Sequence, residues 1–327
     1  MSGLHIPGGI EDHGCKRVVV HFFSLRVGGT GQSMLYWGLQ VVPGARRGVG
    51  QLWRRHNCSA SRVAPPAELT TCPTDRAVLG LVCLPTDQLV EEEVPAMLAA
   101  LPAGRGHGRG RVGLRIQRLS VPGGDAVDAS TFATAAHHIN AAAAHLRPTG
   151  VVTALSLSCT SMSMTIGDDV VKGSLCAEHP DAASTTMAES VVRALEFRNV
   201  KRCAVLTPYE QGLHESTLSL LHNNGISTPV HMRLDLVRDV DMSAVSPSAI
   251  TACVQRLMHF ARTAEVDLDG VLVCCSALRT CEPGFLDALE AETRVPVVSS
   301  QQAQLWHLLR LAGVHDPIPG FGSLLRS

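Results

Sequence analysis

Two cysteines of the sequence each follow an apolar, strand-like segment and precede a hydroxyl residue. Cys159 is followed by Thr160, and Cys275 is followed by Ser276. In open parallel sheets, ligands bind beyond the carboxyl ends of the strands, where helix N-termini leave backbone N–H groups available. A cysteine at a helix N-terminus has a pKa lowered toward neutrality, which makes it a nucleophile or proton acceptor. We therefore expect two reactive thiols that exchange protons with opposite faces of one substrate carbon.

The other interpretation of these cysteines is structural. The chain contains 11 cysteines, and the commonest role of a free cysteine is that of a small buried hydrophobe. From the layout alone this interpretation stays open for Cys159 and Cys275. It is favoured for four cysteines on apolar strand or helix faces, namely Cys83, Cys203, Cys253 and Cys274. An odd count without a CxxC pair or a secretory signal excludes a zinc ribbon and argues against disulfides, so no metal site is predicted.

The elements that position these cysteines follow an α/β pattern, because short β-rich apolar segments alternate with helical ones from Ala77 onwards. Buried parallel strands are expected at residues 77–85, 112–119, 151–158, 203–207 and 270–274. Helices are expected near residues 90–101, 130–146, 186–197, 213–221 and 250–261. Each strand therefore leads to a helix, as in a parallel sheet with helical crossovers.

The chain has the layout of an internal duplication. Each half opens with a strand followed by proline, Pro85 or Pro208, and each carries its cysteine at the end of a later strand. This layout predicts two similar parallel-sheet α/β domains related by a pseudo-twofold axis. The expected boundaries are residues 76–198 for the first domain and 199–299 for the second, with residues 300–327 packing back on the first.

The first 75 residues differ in composition from the rest. Residues 13–67 contain no Asp or Glu but 8 Lys and Arg, which predicts a basic extension that is either poorly ordered or a targeting segment. A cytoplasmic location is expected, with mitochondrial targeting as the alternative. The glycine-rich residues 27–33 lack the Gly-Lys-Ser/Thr that a phosphate-binding loop needs, so that function is excluded.

Composition and motifs exclude several further functions. The 327 residues are 45% hydrophobic and carry a net charge of −1, so neither nucleic acid nor an acidic membrane is an expected partner. No apolar run approaches the ~18 residues of a membrane-spanning helix. No GxGxxG motif follows a strand, which excludes a nicotinamide dehydrogenase. The Arg- and Gly-rich residues 104–113 indicate a solvated loop more than a nucleic-acid contact.

Five motifs carry a family resemblance that covers residues 78–325. They read SLSCTSMSM, LTPYEQG, DGVLVCCSALRT, VPVVSSQQAQLWHLLRLAG and PGFGSLL. Together they resemble the aspartate/glutamate racemase superfamily, in particular its branch of maleate cis-trans isomerases and arylmalonate decarboxylases. The resemblance implies two similar α/β domains with the active site between them, and neither cofactor nor metal. It also implies that both cysteines are catalytic, although the decarboxylases have glycine at the position of Cys159.

The resemblance also implies the substrate-binding residues. Thr160 and Ser161 match donors to a substrate carboxylate or enediolate, and Ser276 matches the donor after the second cysteine. Tyr209 matches a tyrosine whose hydroxyl contacts a carboxylate. Asp87 stands where maleate isomerases have a carboxylate-binding Asn, so maleate itself is a doubtful substrate, since an ionised Asp would repel it and only a protonated one would donate a hydrogen bond.

The predicted function is therefore a cofactor-independent isomerase or racemase that acts on a small carboxylate or dicarboxylate. An amino-acid substrate is not favoured, because the His that follows the second cysteine in the amino-acid racemases is absent after Cys275. The first alternative is an arylmalonate-type decarboxylase in which Cys275 donates the proton. The second is a non-catalytic carboxylate-binding protein. The sequence allows a homodimer.

Overall fold

The computed structural model describes residues 18–25, 34–41, 76–102, 111–120, 129–146 and 151–327. The chain divides into two units, Met1–Leu69 and Thr70–Ser327. In the first unit, β1 (Val18–Leu25) pairs with β2 (Met34–Val41) in antiparallel register. The sequence pattern does not predict these two strands. The rest of the basic extension, the glycine-rich residues 27–33 and the loop 104–110 lie outside the described residues, so the expectations about them stay predictions.

The first sheet of the second unit is parallel and has the strand order β4-β3-β5-β6. Its strands are β3 (Ala77–Cys83), β4 (Val112–Arg118), β5 (Ala154–Ser158) and β6 (Ala183–Thr186). The helices are α1 (Val90–Ala99), α2 (Ala129–Ala136), α3 (Ile139–Ala143), α4 (Thr160–Ile166), α5 (Asp168–Cys176) and α6 (Met187–Phe197). The two central strands, β3 and β5, are buried along their whole length, as expected for strands covered on both faces.

The second sheet is also parallel and has the order β10-β9-β7-β8. Its strands are β7 (Arg202–Thr207), β8 (Ser227–Arg233), β9 (Gly270–Val273) and β10 (Val297–Ser299). The helices that follow are α7 (Gln211–Asn223), α8 (Asp239–Ser243), α9 (Pro247–Thr263), α10 (Phe285–Thr293), α11 (Ser300–Leu311) and α12 (Gly322–Arg326). The predicted α/β class with two parallel sheets is confirmed.

The two sheets share one strand order. In each, the strand that comes second in the chain lies outside the first, and the third and fourth strands lie on the other side. The first and third strands are therefore neighbours in both sheets, and so are the loops that follow them. Cys159 follows the third strand of the first sheet, and Cys275 follows the third strand of the second. The pseudo-twofold axis itself stays a prediction.

One predicted element differs in the structure. The single helix expected over residues 130–146 is wrong, because α2 ends at Ala136 and α3 begins only at Ile139. Between them the His138 N–H donates to the Ala135 carbonyl three residues back. This is the tighter bond of a 3₁₀ turn, and it interrupts the α-helical bonding pattern.

The C-terminal helices contact both sheets. Helix α11 packs on α6 and β5 of the first sheet, whereas α12 packs on α10 and β10. Gln304 of α11 fixes the first contact, since its amide accepts from the Ser158 hydroxyl (2.9 Å) and donates to the Leu157 carbonyl (3.1 Å). The proposed domain boundaries stay predictions. Among the described helices, none is both long and apolar enough to cross a membrane.

Candidate active site

The two cysteines lie beyond the carboxyl ends of β5 and β9. Cys159 is the N-cap of α4, and its Sγ accepts a hydrogen bond from the Met162 N–H at 3.4 Å. The Ser161 hydroxyl lies 3.4 Å from the same sulfur. The Cys275 Sγ accepts from the Ala277 N–H at 3.3 Å. Both side chains are 5% exposed. Each thiol thus accepts from one backbone N–H at a strand end. Cys159 also lies at a helix N-terminus, as expected, whereas Cys275 lies in the loop that separates β9 from α10.

The backbone at Cys275 is strained. Its φ is +133°, although it is not a glycine, and such conformations persist only where surrounding structure holds them. The Cys275 N–H donates to the Ser300 hydroxyl at 3.0 Å. The Thr160 hydroxyl donates to the same oxygen at 3.1 Å. Ser300, the first residue of α11, therefore links the two cysteine loops, and no sequence pattern points to this role.

A third thiol belongs to the same region. The Ser300 hydroxyl donates to the Cys274 Sγ at 3.8 Å. Burial raises the pKa of Cys274 to about 11, and the nearby hydroxyls of Ser300 and then Tyr209 oppose this increase. Cys274 is buried, as the sequence predicts for a structural cysteine, but its neighbours include hydroxyl groups, which the sequence does not predict. Cys83 and Cys203 are buried, as the structural interpretation expects, and Cys253 is half-buried.

The pKa of neither candidate catalytic thiol is lowered. Burial, with a smaller contribution from the nearby Asp239, raises the pKa of Cys159 to about 12, although Ser161 and Met162 donate hydrogen bonds to the sulfur. Burial, followed by Asp239, raises the pKa of Cys275 well above its ordinary value. The expectation of thiols with a pKa near neutrality is therefore wrong, because the cost of desolvating an anion exceeds what the neighbouring backbone N–H groups return. Both thiols are protonated at rest.

The thiols share one electrostatic environment. An ionised Cys159 raises the pKa of Cys275, and ionised Cys275 and Cys159 both raise the pKa of Tyr209. Tyr209 follows β7, the first strand of the second sheet, and is 1% exposed. Its hydroxyl has no hydrogen-bond partner among the described protein atoms, although it faces Cys275 closely enough to affect its pKa. The structure therefore brings Cys159, Tyr209 and Cys275 together.

Asp87 occupies the corresponding loop of the first sheet, after β3, and is 1% exposed. Its Oδ1 accepts from the N–H groups of Leu89 (3.0 Å) and Val90 (3.1 Å) at the start of α1. Its Oδ2 has no hydrogen-bond partner among the described atoms. Burial raises the pKa of Asp87, and the nearby Ser276 hydroxyl is the main influence that lowers it. A buried polar atom without a protein partner is the kind of group that a ligand satisfies.

Two buried carboxyl groups near the cysteines are absent from the sequence prediction. Asp239 opens α8, is 4% exposed, and accepts a hydrogen bond from the Thr86 hydroxyl. Glu93 of α1 is also 4% exposed. Glu93 is the one with a signal in the sequence, since it shares an apolar face with Val90, Val94 and Met97. In the part of the chain that the structure describes, no three His, Cys, Asp or Glu side chains are grouped to hold a metal ion.

Comparison with known proteins decides the family. A family model described as arylmalonate decarboxylase matches residues 113–325. The chain belongs to the arylmalonate decarboxylase family. The match contains Cys159, Tyr209 and Cys275 but not Asp87, which precedes it. The resemblance seen in the sequence motifs is thereby confirmed.

Proteins similar to this chain include arylmalonate decarboxylases and maleate isomerases. The chain is 34% identical over 146 residues to the arylmalonate decarboxylase of Bordetella bronchiseptica, a match that covers 43% of this chain and 56% of that protein. The chain thus spans little more than half the length of this curated relative. The crystal structure of the maleate isomerase Iso from Pseudomonas putida S16 has a TM-score of 0.64 at 20% identity, covering 77% of this chain and 98% of that one.

A second solved structure with this fold is a maleate cis-trans isomerase from Nocardia farcinica. It has a TM-score of 0.63 at 19% identity and covers 76% of this chain and 98% of that one. That protein was solved as a mutant with a covalently bound succinylcysteine intermediate. Arylmalonate decarboxylases and maleate isomerases are both enzymes, so the family is one of enzymes, within which these relatives catalyse two different reactions.

Proposed function

We propose that the protein is a cofactor-independent isomerase or racemase that acts next to the carboxylate of a small substrate, with Cys159 and Cys275 as its two reactive groups. The observation that carries the proposal is the convergence of both thiols, one from each sheet, on a buried region. Polar atoms of Tyr209 and Asp87 have no partner there among the described protein atoms. These atoms, the hydroxyls of Ser161 and Ser276, and the backbone N–H of Thr160, whose own hydroxyl donates to Ser300, supply the contacts to a carboxylate or an enediolate.

The proposed proton-transfer route uses the two sulfurs in sequence. One thiolate removes the proton from the carbon next to the carboxylate, and the electron pair moves into an enediolate. The other thiol then donates its proton to the opposite face. Because burial keeps both sulfurs protonated at rest, one must lose a proton before turnover. The N–H groups of Met162 and Ala277 stabilise the resulting anion.

The proposed route for an unsaturated dicarboxylate is covalent. A sulfur adds to one alkene carbon, and the other thiol delivers a proton to the second carbon. Rotation about the new single bond and reversal of both steps give the other isomer. The covalent succinylcysteine of the Nocardia isomerase supports this route for substrates with a carbon–carbon double bond.

The proposal is tested with purified protein in D₂O and a panel of small mono- and dicarboxylates. We expect deuterium at the carbon next to the carboxylate, or cis-trans conversion, measured by NMR. Cys159→Ser and Cys275→Ser should each lower the rate of racemisation or cis-trans conversion by ~10²- to 10⁴-fold, the usual contribution of a general acid or base. Cys253→Ser, which changes a half-buried thiol on α9, is the matched control and should retain activity.

The pH dependence adds a second criterion. Because the Cys159 pKa is about 12, the thiolate fraction, and with it the rate of thiolate-dependent exchange, should rise by about tenfold per pH unit between pH 7 and pH 9. A rate that is flat over this range contradicts a thiolate base. A panel that yields neither exchange nor isomerisation nor CO₂ release supports the non-catalytic carboxylate-binding interpretation.

Arylmalonate-type decarboxylation is the second candidate, favoured by one observation. Cys275 is protonated at rest, which is the state that a proton donor to the enediolate requires after CO₂ departs. The presence of a cysteine at position 159, where the decarboxylases have glycine, opposes this candidate. If the protein is a decarboxylase, Cys159→Gly keeps CO₂ release from an arylmalonate and Cys275→Ser abolishes it. Wild-type CO₂ release without exchange of the neighbouring proton would replace the isomerase proposal.

A further inference from the structure

The loop that follows β9 has no regular structure of its own. Residues 274–284 separate β9 from α10 and carry both Cys275 and Ser276. The positive φ of Cys275 means that this loop needs contacts from elsewhere to hold its conformation. Ser300 supplies one contact at the start of the loop, to the Cys275 N–H. The other end of the loop is held from the first sheet.

Glu93 of α1 makes that second contact. Its Oε1 accepts hydrogen bonds from the N–H groups of Thr280 (2.9 Å) and Cys281 (2.8 Å). Glu93 is 187 residues away from Thr280 in the chain and only 4% exposed. Two backbone donors on one carboxylate oxygen in a buried setting form a strong, directional contact. The carboxylate therefore fixes the far end of the cysteine loop to α1.

The start of the same helix holds Asp87, one of the proposed substrate-binding residues. Asp87 accepts from Leu89 and Val90 at the N-terminus of α1, and Glu93 lies further along the helix. One rigid helix thus joins Asp87, on the first sheet's side of the site, to the loop that presents Cys275. The contact also continues toward α11, because the Cys281 Sγ lies 3.8 Å from the hydroxyl of Ser299, the residue before Ser300.

We propose that Glu93 is a positioning residue that holds the loop of residues 275–281 and thereby keeps Cys275 in place. The inference rests on the proposed function only for the chemical role of Cys275. Glu93 acts through backbone N–H groups, and what it needs is a hydrogen-bond acceptor of the right length. A glutamine keeps the acceptor oxygen, a leucine keeps only the volume, and an aspartate is one methylene too short to reach both donors.

The test compares Glu93→Leu, Glu93→Asp and Glu93→Gln with the wild-type protein. The readout is the rate of Cys275 alkylation by iodoacetamide, followed by peptide mass spectrometry. Cys203, fully buried in β7, reports global unfolding in the same sample. In the variants Glu93→Leu and Glu93→Asp, we expect Cys275 alkylation to accelerate relative to that of Cys203 by about tenfold or more, because two buried N–H groups lose their acceptor. Gln should remain within about threefold of wild type, since its amide oxygen still accepts.

Glu92→Gln is the matched control. Glu92 is the adjacent residue of α1 and pairs with Arg279 of the same loop at 2.8 Å, but its side chain is 60% exposed. Exposed pairs contribute little, so this variant should alkylate like wild type. If the wild-type protein is active on a substrate of the panel, Glu93→Leu should lower kcat by a larger factor than it raises KM. Glu93→Gln should have a kcat close to that of the wild type.

Two outcomes would overturn the positioning role. One is Cys275 alkylation that stays within about twofold of wild type in both Glu93→Leu and Glu93→Asp, because the loss of both acceptor contacts would then have no effect. The other is acceleration in Glu93→Gln as large as in Glu93→Leu. If Glu93→Leu does not fold, the comparison of Glu93→Asp with Glu93→Gln tests the positioning role. A wild-type protein without activity on the whole panel refutes the proposed function, whereas the alkylation result stands independently of it.

Discussion

Ser300→Ala is the substitution that most directly tests how the two cysteine loops are joined. The Ser300 hydroxyl accepts from Thr160 at 3.1 Å and from the Cys275 N–H at 3.0 Å, and it donates to Cys274 at 3.8 Å. The side chain is fully buried. Alanine removes one oxygen and leaves the helix position and volume nearly unchanged, so the effect reports these contacts alone.

The expected magnitude follows from the donors that lose their acceptor. A buried donor without a partner costs ~1–3 kcal/mol. The Cys275 N–H cannot turn elsewhere, whereas the Thr160 hydroxyl can rotate, so we expect a loss of about 2–4 kcal/mol in the free energy of unfolding. The strained Cys275 backbone, whose φ is +133°, then relaxes. A shift of about 1 Å in a reacting group costs ~10²-fold in rate, and kcat/KM should fall by that order.

Urea unfolding and the deuterium-exchange assay measure the two effects on the same preparations. Ser216→Ala is the control, because the Ser216 hydroxyl makes a single 2.9 Å bond to the Gly212 carbonyl on the exposed face of α7. Surface changes of this kind stay within about 0.5 kcal/mol. If Ser300→Ala also stays within that range and keeps wild-type activity, then Ser300 does not hold the cysteine loops, and the reasoning from these contacts fails.

Two further predictions concern buried carboxyl groups. Burial raises the pKa of Glu93 from 4.5 to about 7, so the folded state binds this proton more tightly than the unfolded chain does. The free energy of unfolding should fall by up to ~3 kcal/mol as the pH rises from about 4.5 to 7. Urea unfolding at pH 5 and pH 8 measures this fall, which should be absent in Glu93→Gln. A Glu93→Gln variant with the pH profile of the wild type would contradict the prediction. Asp87→Asn removes a buried carboxyl that repels anions when ionised, so the variant should bind maleate at least about tenfold more tightly. Calorimetry showing weaker binding would instead indicate that Asp87 accepts a donor from the substrate.

The local patterns of the sequence predict the sheets and the positions of the cysteines. Continuous apolar runs identify β3 and β5, because strands covered on both faces need apolar residues at every position. Since the carboxyl ends of parallel strands share one edge of a sheet, the cysteines after β5 and β9 follow as candidates. The pattern fails at β8, a strand at the edge of its sheet where buried and exposed residues mix.

The contacts that hold the candidate site could not be predicted in this way. Ser300 and Thr160 lie 140 residues apart in the chain, and Glu93 and Cys281 lie 188 apart. Such contacts depend on how two sheets and α11 pack together, and no local periodicity encodes that packing. Ser300 and Glu93 are polar residues on helices, and an amphipathic pattern predicts that polar residues lie on the exposed face. Only the fold shows that Glu93 accepts from backbone N–H groups of a loop of the other sheet, and that Ser300 accepts from the Cys275 N–H and from the Thr160 hydroxyl of the first sheet.

The wrong pKa expectation for the thiols leads to a division of roles. Cys159 has two donors at its sulfur, the Met162 N–H and the Ser161 hydroxyl, and burial raises its pKa to about 12. Asp239 raises the pKa of both thiols, but only at Cys275 is it the largest contribution after burial, and a negative neighbour disfavours a second anion. We therefore expect Cys159 to be the better thiolate and Cys275 the better proton donor. With this division of roles, Cys159→Ser should abolish proton removal in D₂O. Cys275→Ser should still incorporate deuterium on one face of the substrate carbon but should no longer racemise the substrate. Equal loss of both activities in both variants would show that the two thiols exchange roles.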